Sequence, residues 1–133
     1  MCLFIDRKKT KEAKKNKTGK VVRWKVLRLD ASLNSMCQSY VWKPGYNKSD
    51  RQTLELDMDE VTYGRVNRGI HVSTSQAMAR TWVFYNCSRL VKVVCYNKDL
   101  VAVGKDGDEV YTKVFLPKDE YNDALKRKGK EKH

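Results

Sequence analysis

One short segment constrains the fold more than any other: Leu90-Val-Lys-Val-Val-Cys-Tyr96. It is apolar at every position except Lys92. Its valines favour the pleated chain, because two heavy groups on Cβ pack well on a sheet and cost freedom in a helix. A run this short and this continuously apolar reads as a strand covered on both faces, and so as a central strand of a sheet.

The other elements are read relative to it. Val21 to Leu29 alternates in part, with Val22, Trp24 and Val26 against Arg23, Lys25 and Leu27. That predicts a first strand with one wet face, lined by cations. Met36 to Trp42 reads as a second strand, closed by Lys43-Pro-Gly45, where Pro sets φ and Gly supplies a positive one. Tyr46 to Thr53 is polar and loop-like. Leu54 to Met58 is a short edge strand or an exposed loop, and Asp57-Met-Asp-Glu60 is an acidic patch. Leu100–Val103 and Val110–Phe115 flank a glycine-bearing turn and form a hairpin. Two helices are expected. One runs from about Thr74 to Tyr85, with Met78, Trp82 and Tyr85 packing against the sheet. The other starts at Pro117, with Asp119 and Glu120 in its first turn and Lys126 in its last. Five or six strands and two helices stand too close together for repeated βαβ units. The expectation is an α+β fold around a mostly antiparallel sheet: one domain over residues 21–128, a tail over 129–133 and a basic, disordered arm over 1–20.

The charge is unevenly placed. The net charge is +12, yet residues 1–28 hold 11 Lys/Arg against 2 Asp/Glu, and residues 29–117 hold 11 against 10. The nearly neutral body argues against a dedicated nucleic-acid groove. The arm, residues 7–20, is either a solvated tail or a contact for a polyanion or protein partner. Cys2, Cys37, Cys87 and Cys95 form no CxxC pair, so zinc is not indicated and free thiols are expected. No other metal or cofactor signature is present. No apolar run is long enough to span a bilayer, and Met1–Ile5 is too short for a secretory signal, so a cytoplasmic protein is expected.

Phosphate-compatible groups concentrate in Arg65-Val-Asn-Arg-Gly-Ile-His-Val-Ser-Thr-Ser-Gln-Ala-Met-Ala-Arg-Thr-Trp82. A strand, Gly69–Val72, leads into Ser73, Thr74 and Ser75, which open the helix. Ser73 and Gln76 have the spacing of a capping box. Free N–H groups at a helix start favour anions, and Arg65, Arg68 and the strand residue Arg28 add forks that match phosphate oxygens. Trp24, Tyr40, Trp42, Tyr85 and Tyr96 are candidates to stack a base. His71 and Ser73 stand two apart on a strand and share a face, as a base and a nucleophile would, though a hydrogen-bonded structural histidine fits as well.

Gly69-Ile-His-Val-Ser-Thr-Ser-Gln-Ala-Met-Ala-Arg-Thr-Trp82 resembles a segment of the ADP-ribosyltransferase-like fold, in which a Gly-Ile-aromatic strand leads to small hydroxylic residues and a helix. The resemblance implies that Ser73 and Ser75 touch the ligand. It departs at His71, where the family has an aromatic, and Glu109 stands for the late acidic residue at a loose spacing. Lys25-Val-Leu27, Trp42 to Gly45 and the Gly-x-His before the helix are also similar to small phage anti-defence proteins of the anti-Thoeris type, which sequester a cyclic ADP-ribose signal. Together these imply a phage or phage-like protein that sequesters a nucleotide-derived signal without cleaving it. The expected contacts are Arg28, Trp42, Arg65, Arg68, Gly69, His71, Ser73, Thr74, Ser75 and Tyr85. The enzymatic alternative uses NAD through His71 and Glu109, and a third reading is an inhibitor acting through the arm. A homo-oligomer is expected, since one thin sheet leaves apolar surface to cover.

Overall fold

The computed structural model describes residues 3–15, 18–29, 33–35, 40–49, 61–62, 65–66, 69–81, 83 and 88–126. Eleven strands and three helices follow in the order β1 (Leu3–Phe4), α1 (Arg7–Lys14), β2 (Lys20–Leu29), β3 (Leu33–Ser35), β4 (Gly45–Lys48), β5 (Val61–Thr62), β6 (Arg65–Val66), β7 (Ile70–Ser73), α2 (Gln76–Arg80), β8 (Ser88–Tyr96), β9 (Leu100–Val103), β10 (Asp108–Tyr111), β11 (Lys113–Leu116) and α3 (Lys118–Lys126). A 3-10 turn, Asn97–Asp99, joins β8 to β9.

The α+β class and the antiparallel sheet are as expected, but the strands are more numerous. The main sheet has eight, in the order β4-β11-β8-β2-β7-β10-β9, with β3 also paired to β2. A separate small sheet is ordered β1-β6-β5. The additional strands have two to four residues, too few for alternation to register. β8 is the predicted central strand, and its ladder with β2 runs from Lys20↔Tyr96 to Arg28↔Ser88.

β10 and β11 are one stretch of chain bent at Thr112. Thr112 leaves the ladder: its N–H donates to the Asp99 carbonyl (2.8 Å), and its carbonyl accepts from the Ser49 N–H (2.8 Å). β10 therefore pairs with β7 and β9, whereas β11 pairs with β8 and β4. The path β11-β8-β2-β7-β10 thus begins and ends on the same bent strand, and its five strands close into a barrel-like ring. Leu27, Ile70, Val72, Val91, Val93, Cys95, Tyr111, Val114 and Leu116 fill the interior, with Leu33, Trp42 and Ala124 at one end and Ala13 packed against the same cluster.

Several expectations are corrected. The stretch expected as a disordered arm contains α1, capped by Asp6, whose carboxylate accepts from the Lys9 N–H (3.0 Å). Thr10 is buried and docks the helix on the sheet edge: the Val103 N–H donates to its hydroxyl (2.9 Å). Ile5 bridges to Gly104 beside it. The polar stretch after Gly45 forms β4, because buried Asn47 accepts from the Lys43 N–H (3.0 Å) and donates to the Lys43 and Gly45 carbonyls (2.9 and 3.1 Å). The expected second strand lies mostly outside the described residues; its end, Trp42, is tied to β3 by its N–H on the Leu33 carbonyl (2.7 Å). Leu54–Met58 and the acidic patch Asp57–Glu60 also lie outside them. α2 is five residues long, against the twelve expected, and it buries Ala79 while Met78 stays exposed. Among the described residues no helix is long and apolar enough to cross a membrane.

Candidate nucleic-acid interface

β2 does not face the way its composition suggested. Arg23, Lys25 and Leu27 share the inner face with Val93, Val91 and Arg89 of β8. Val22 and Trp24 point outward with Val94 and Lys92. The inversion has a local cause. Arg23 Nε donates to Glu109 Oε1 at 2.6 Å, and Glu109 also accepts from the Tyr111 hydroxyl at 2.9 Å. Lys25 Nζ donates to the His71 carbonyl at 2.7 Å, where β2 and β7 register only at Trp24↔Ser73. Partners inside the ring thus satisfy cations that would otherwise need water.

This interior seam carries shifted protonation. Burial opposes the Arg23 charge, but the hydrogen bond and charge of Glu109 outweigh it and raise the guanidinium pKa further. Burial, then the Glu109 charge, pushes the Cys95 thiol and the Tyr111 phenol up, so both stay neutral.

With the cations turned inward, the outer face of four adjacent strands carries a different set. Tyr46 and Lys48 of β4, Phe115 and Lys113 of β11, Lys92, Val94 and Tyr96 of β8, and Lys20, Val22 and Trp24 of β2 occupy its alternating outward positions. The strand registers align Tyr46 with Phe115, Phe115 with Val94, and Val94 with Val22, in one row across the strands. Tyr46 is 45% exposed and Val22 42%, values far above those of core residues. The Tyr46 and Phe115 rings meet edge to face at 5.1 Å. Lys113 Nζ stands 4.8 Å from the Tyr46 centroid, and Lys98 Nζ 5.9 Å from that of Tyr96. None of these outward positions holds a carboxylate. Glu120 of α3, at the Lys92 end, is held on the Lys92 backbone N–H (2.8 Å). Aromatic surface for stacking therefore lies between ammonium groups for phosphate.

The residues singled out in the sequence are dispersed. Arg68 and Tyr85 lie outside the described residues, and Arg65 is described only as the β6 partner of Phe4 and Thr62. Trp42 is 1% exposed, so its ring belongs to the core and has no face for a base. Gly69 has φ +103°, and a side chain there would run into Val110, so its need is steric. The expected capping box does not form. Ser75 is the cap, accepting from the Met78 N–H (3.2 Å). Thr74 donates to the Gly107 carbonyl (2.8 Å), and Ser73 donates to Asp108 Oδ1 (3.4 Å). The three hydroxyls thus serve the turn and the hairpin next to them. His71 is buried and pairs with Val110, whereas Glu109 pairs with Val72, so His71 and Glu109 face opposite sides of the β7–β10 ladder. Arg28 and Arg80 each bury an Nε that has no hydrogen-bond partner.

Trp24 and Tyr96 were readable as stacking candidates, but Tyr46, Lys48, Lys113 and Phe115 were not. Their signal is a pair of short period-two patterns, Tyr46-x-Lys48 and Lys113-x-Phe115, which gain meaning only once β4 and β11 are known to be neighbours. Among the described residues no group of His, Cys, Asp and Glu is placed to hold a metal. No protein-family model, no curated protein and no solved structure matches the chain.

Proposed function

We propose that this protein binds single-stranded nucleic acid on the outer face of β4, β11, β8 and β2. The observation that carries the reading is the row Tyr46–Phe115–Val94–Val22, flanked by Lys20, Lys48, Lys92 and Lys113 and lacking a carboxylate. Aromatic rings on an open sheet face stack on bases only where those bases are unpaired, which favours single strands over a duplex. Lysines beside the rings neutralise the phosphates that such bases carry, so binding weakens as salt rises.

The test is fluorescence anisotropy with a labelled 16-nucleotide single strand, the matching duplex and polyglutamate. The single strand is expected to bind more tightly than either. Tyr46→Ala removes an exposed ring and lowers affinity roughly fivefold to 150-fold, from about 1–3 kcal/mol of stacking per base, with the thermal midpoint little changed. Equal affinity for duplex and single strand, or an unaffected Tyr46→Ala, would overturn the reading, and preferential capture of polyglutamate would point to an acidic protein partner instead.

A free nucleotide-derived signal is the second reading, favoured by the unpartnered buried Nε atoms of Arg28 and Arg80. A buried donor without an acceptor is costly, and an anion would relieve it. Thermal shift with cyclic nucleotides and ADP-ribose isomers tests it. Stabilisation lost in Arg28→Met and kept in Tyr46→Ala would favour it.

A further inference from the structure

The lysine-rich helix α1 packs on β9 and the turn after β8, and its outer side is dense in cations, with Glu12 the one acid inside the helix. Arg7, Lys8 and Lys9 occupy its first turn, at the positive end of the helix dipole, where the Asp6 cap is the acid beside them. Arg7 and Lys11, and Lys11 and Lys15, are like charges four residues apart, a spacing that repels. All five side chains are exposed, and among the described residues none of them has an ion pair. Only the opposite side of the helix is fixed, through Thr10 on Val103 and Ala13 on the core.

The position of α1 gives those charges a use. It packs on β9 and on the turn Asn97–Asp99, which directly follows Tyr96. The chain then returns past Gly19, whose carbonyl accepts from the Asn97 N–H (2.8 Å), to Lys20, the first outward residue of the face. Lys98 thus stands on the turn that α1 packs on, just after Tyr96 in the chain and near Lys20, at one corner of the sheet.

We propose that α1 is the second half of the binding surface, a phosphate track continuing the sheet face, so that one strand of nucleic acid stacks on the aromatics and then runs along the helix. The proposal rests on the single-strand reading above. It assigns the two halves different work: the sheet recognises bases, and α1 contributes most of the salt-dependent affinity. The eight helical residues extend the surface by about 12 Å, enough to separate short ligands from long ones within the range of about 4–16 nucleotides.

The experiment compares the intact chain with the triple variant Lys8→Gln, Lys11→Gln, Lys15→Gln, using single strands of 4 and 16 nucleotides over a range of salt. Three neutralised contacts are expected to lower the salt slope for the 16-mer by about 2. Affinity for the 4-mer should change less than twofold, and the thermal midpoint should change little, since the like-charge repulsion removed is offset by the last-turn cations and the Lys8–Glu12 spacing lost. An unchanged 16-mer slope, with Tyr46→Ala still weakening binding, would overturn this proposal and leave the sheet reading standing. A large fall in the thermal midpoint would also overturn it, by giving the lysines a structural role. No binding of either strand by the intact chain would remove both readings.

Discussion

At the scale of single residues, charge is handled by proximity to carbonyls and carboxylates. Asp108 is the clearest case. It accepts from Ser73 yet lies partly buried beside Asp106, and burial, then the Asp106 charge, raises its pKa above the ordinary 3.8; Ser73 and Lys25 only partly offset this. A carboxyl whose folded pKa is raised holds its proton longer in the folded chain than in the unfolded one. Its contribution to stability is therefore fully present below the unfolded value and is lost as pH rises through the folded one. Asp108→Asn keeps an acceptor for Ser73 and removes the charge. It is expected to raise the thermal midpoint at pH 7, with the gain shrinking to nothing as pH falls below about 4. A gain of equal size at pH 3 would contradict this account.

At the scale of elements, the choice that matters is which face of β2 turns inward. Apolar content alone would bury Val22 and Trp24, but Glu109 of β10 decides otherwise by drawing in Arg23. The pair bridges the ring from β2 to β10, two strands separated by β7. Glu109→Gln leaves the guanidinium without its counter-charge. The expected loss is about 2–3 kcal/mol, below the ~3–5 of a fully buried pair because Arg23 keeps 21% exposure to water. Urea unfolding at pH 7 measures it, and single-strand affinity should be retained by the folded variant. The NAD-using alternative makes the opposite forecast, since there Glu109 is needed for chemistry while stability is unaffected.

At the scale of the molecule, the bend at Thr112 turns a run of short strands into a closed ring, with α1 docked on one sheet edge and Ala124 of α3 in the core. Cys95 reports on that closure. It is fully buried, and its thiol is held neutral by burial and by Glu109. A neutral, enclosed thiol does not alkylate. Iodoacetamide labelling at pH 8, read by peptide mass spectrometry, should leave Cys95 unmodified until denaturant reaches the global transition. Labelling of Cys95 at the rate of an unfolded peptide would mean that the ring opens locally.

Much of the fold was legible in the residues. Leu90–Tyr96 announces the central strand through its apolar run, and Leu100–Val103 with Val110–Phe115 announces a hairpin through its glycines. Pro117 and Asp119 announce the last helix through the needs of a helix start. These signals are local, and each rests on the preferences of neighbouring residues in the chain. The site was not legible in the same way. The nearly neutral count over residues 29–117 gave no sign of this face, because Lys48, Lys92 and Lys113, far apart in the chain, come onto one face only through the pairing of β4, β11 and β8. Ser73, Thr74 and Ser75 looked like ligand donors until Gly107 and Asp108, more than thirty residues away, took two of their three hydroxyls. Sequence periodicity decided that β2 has two unlike faces. Only the approach of Glu109 decided which face is wet, since the cost of burying a cation depends on a partner that local sequence does not reveal.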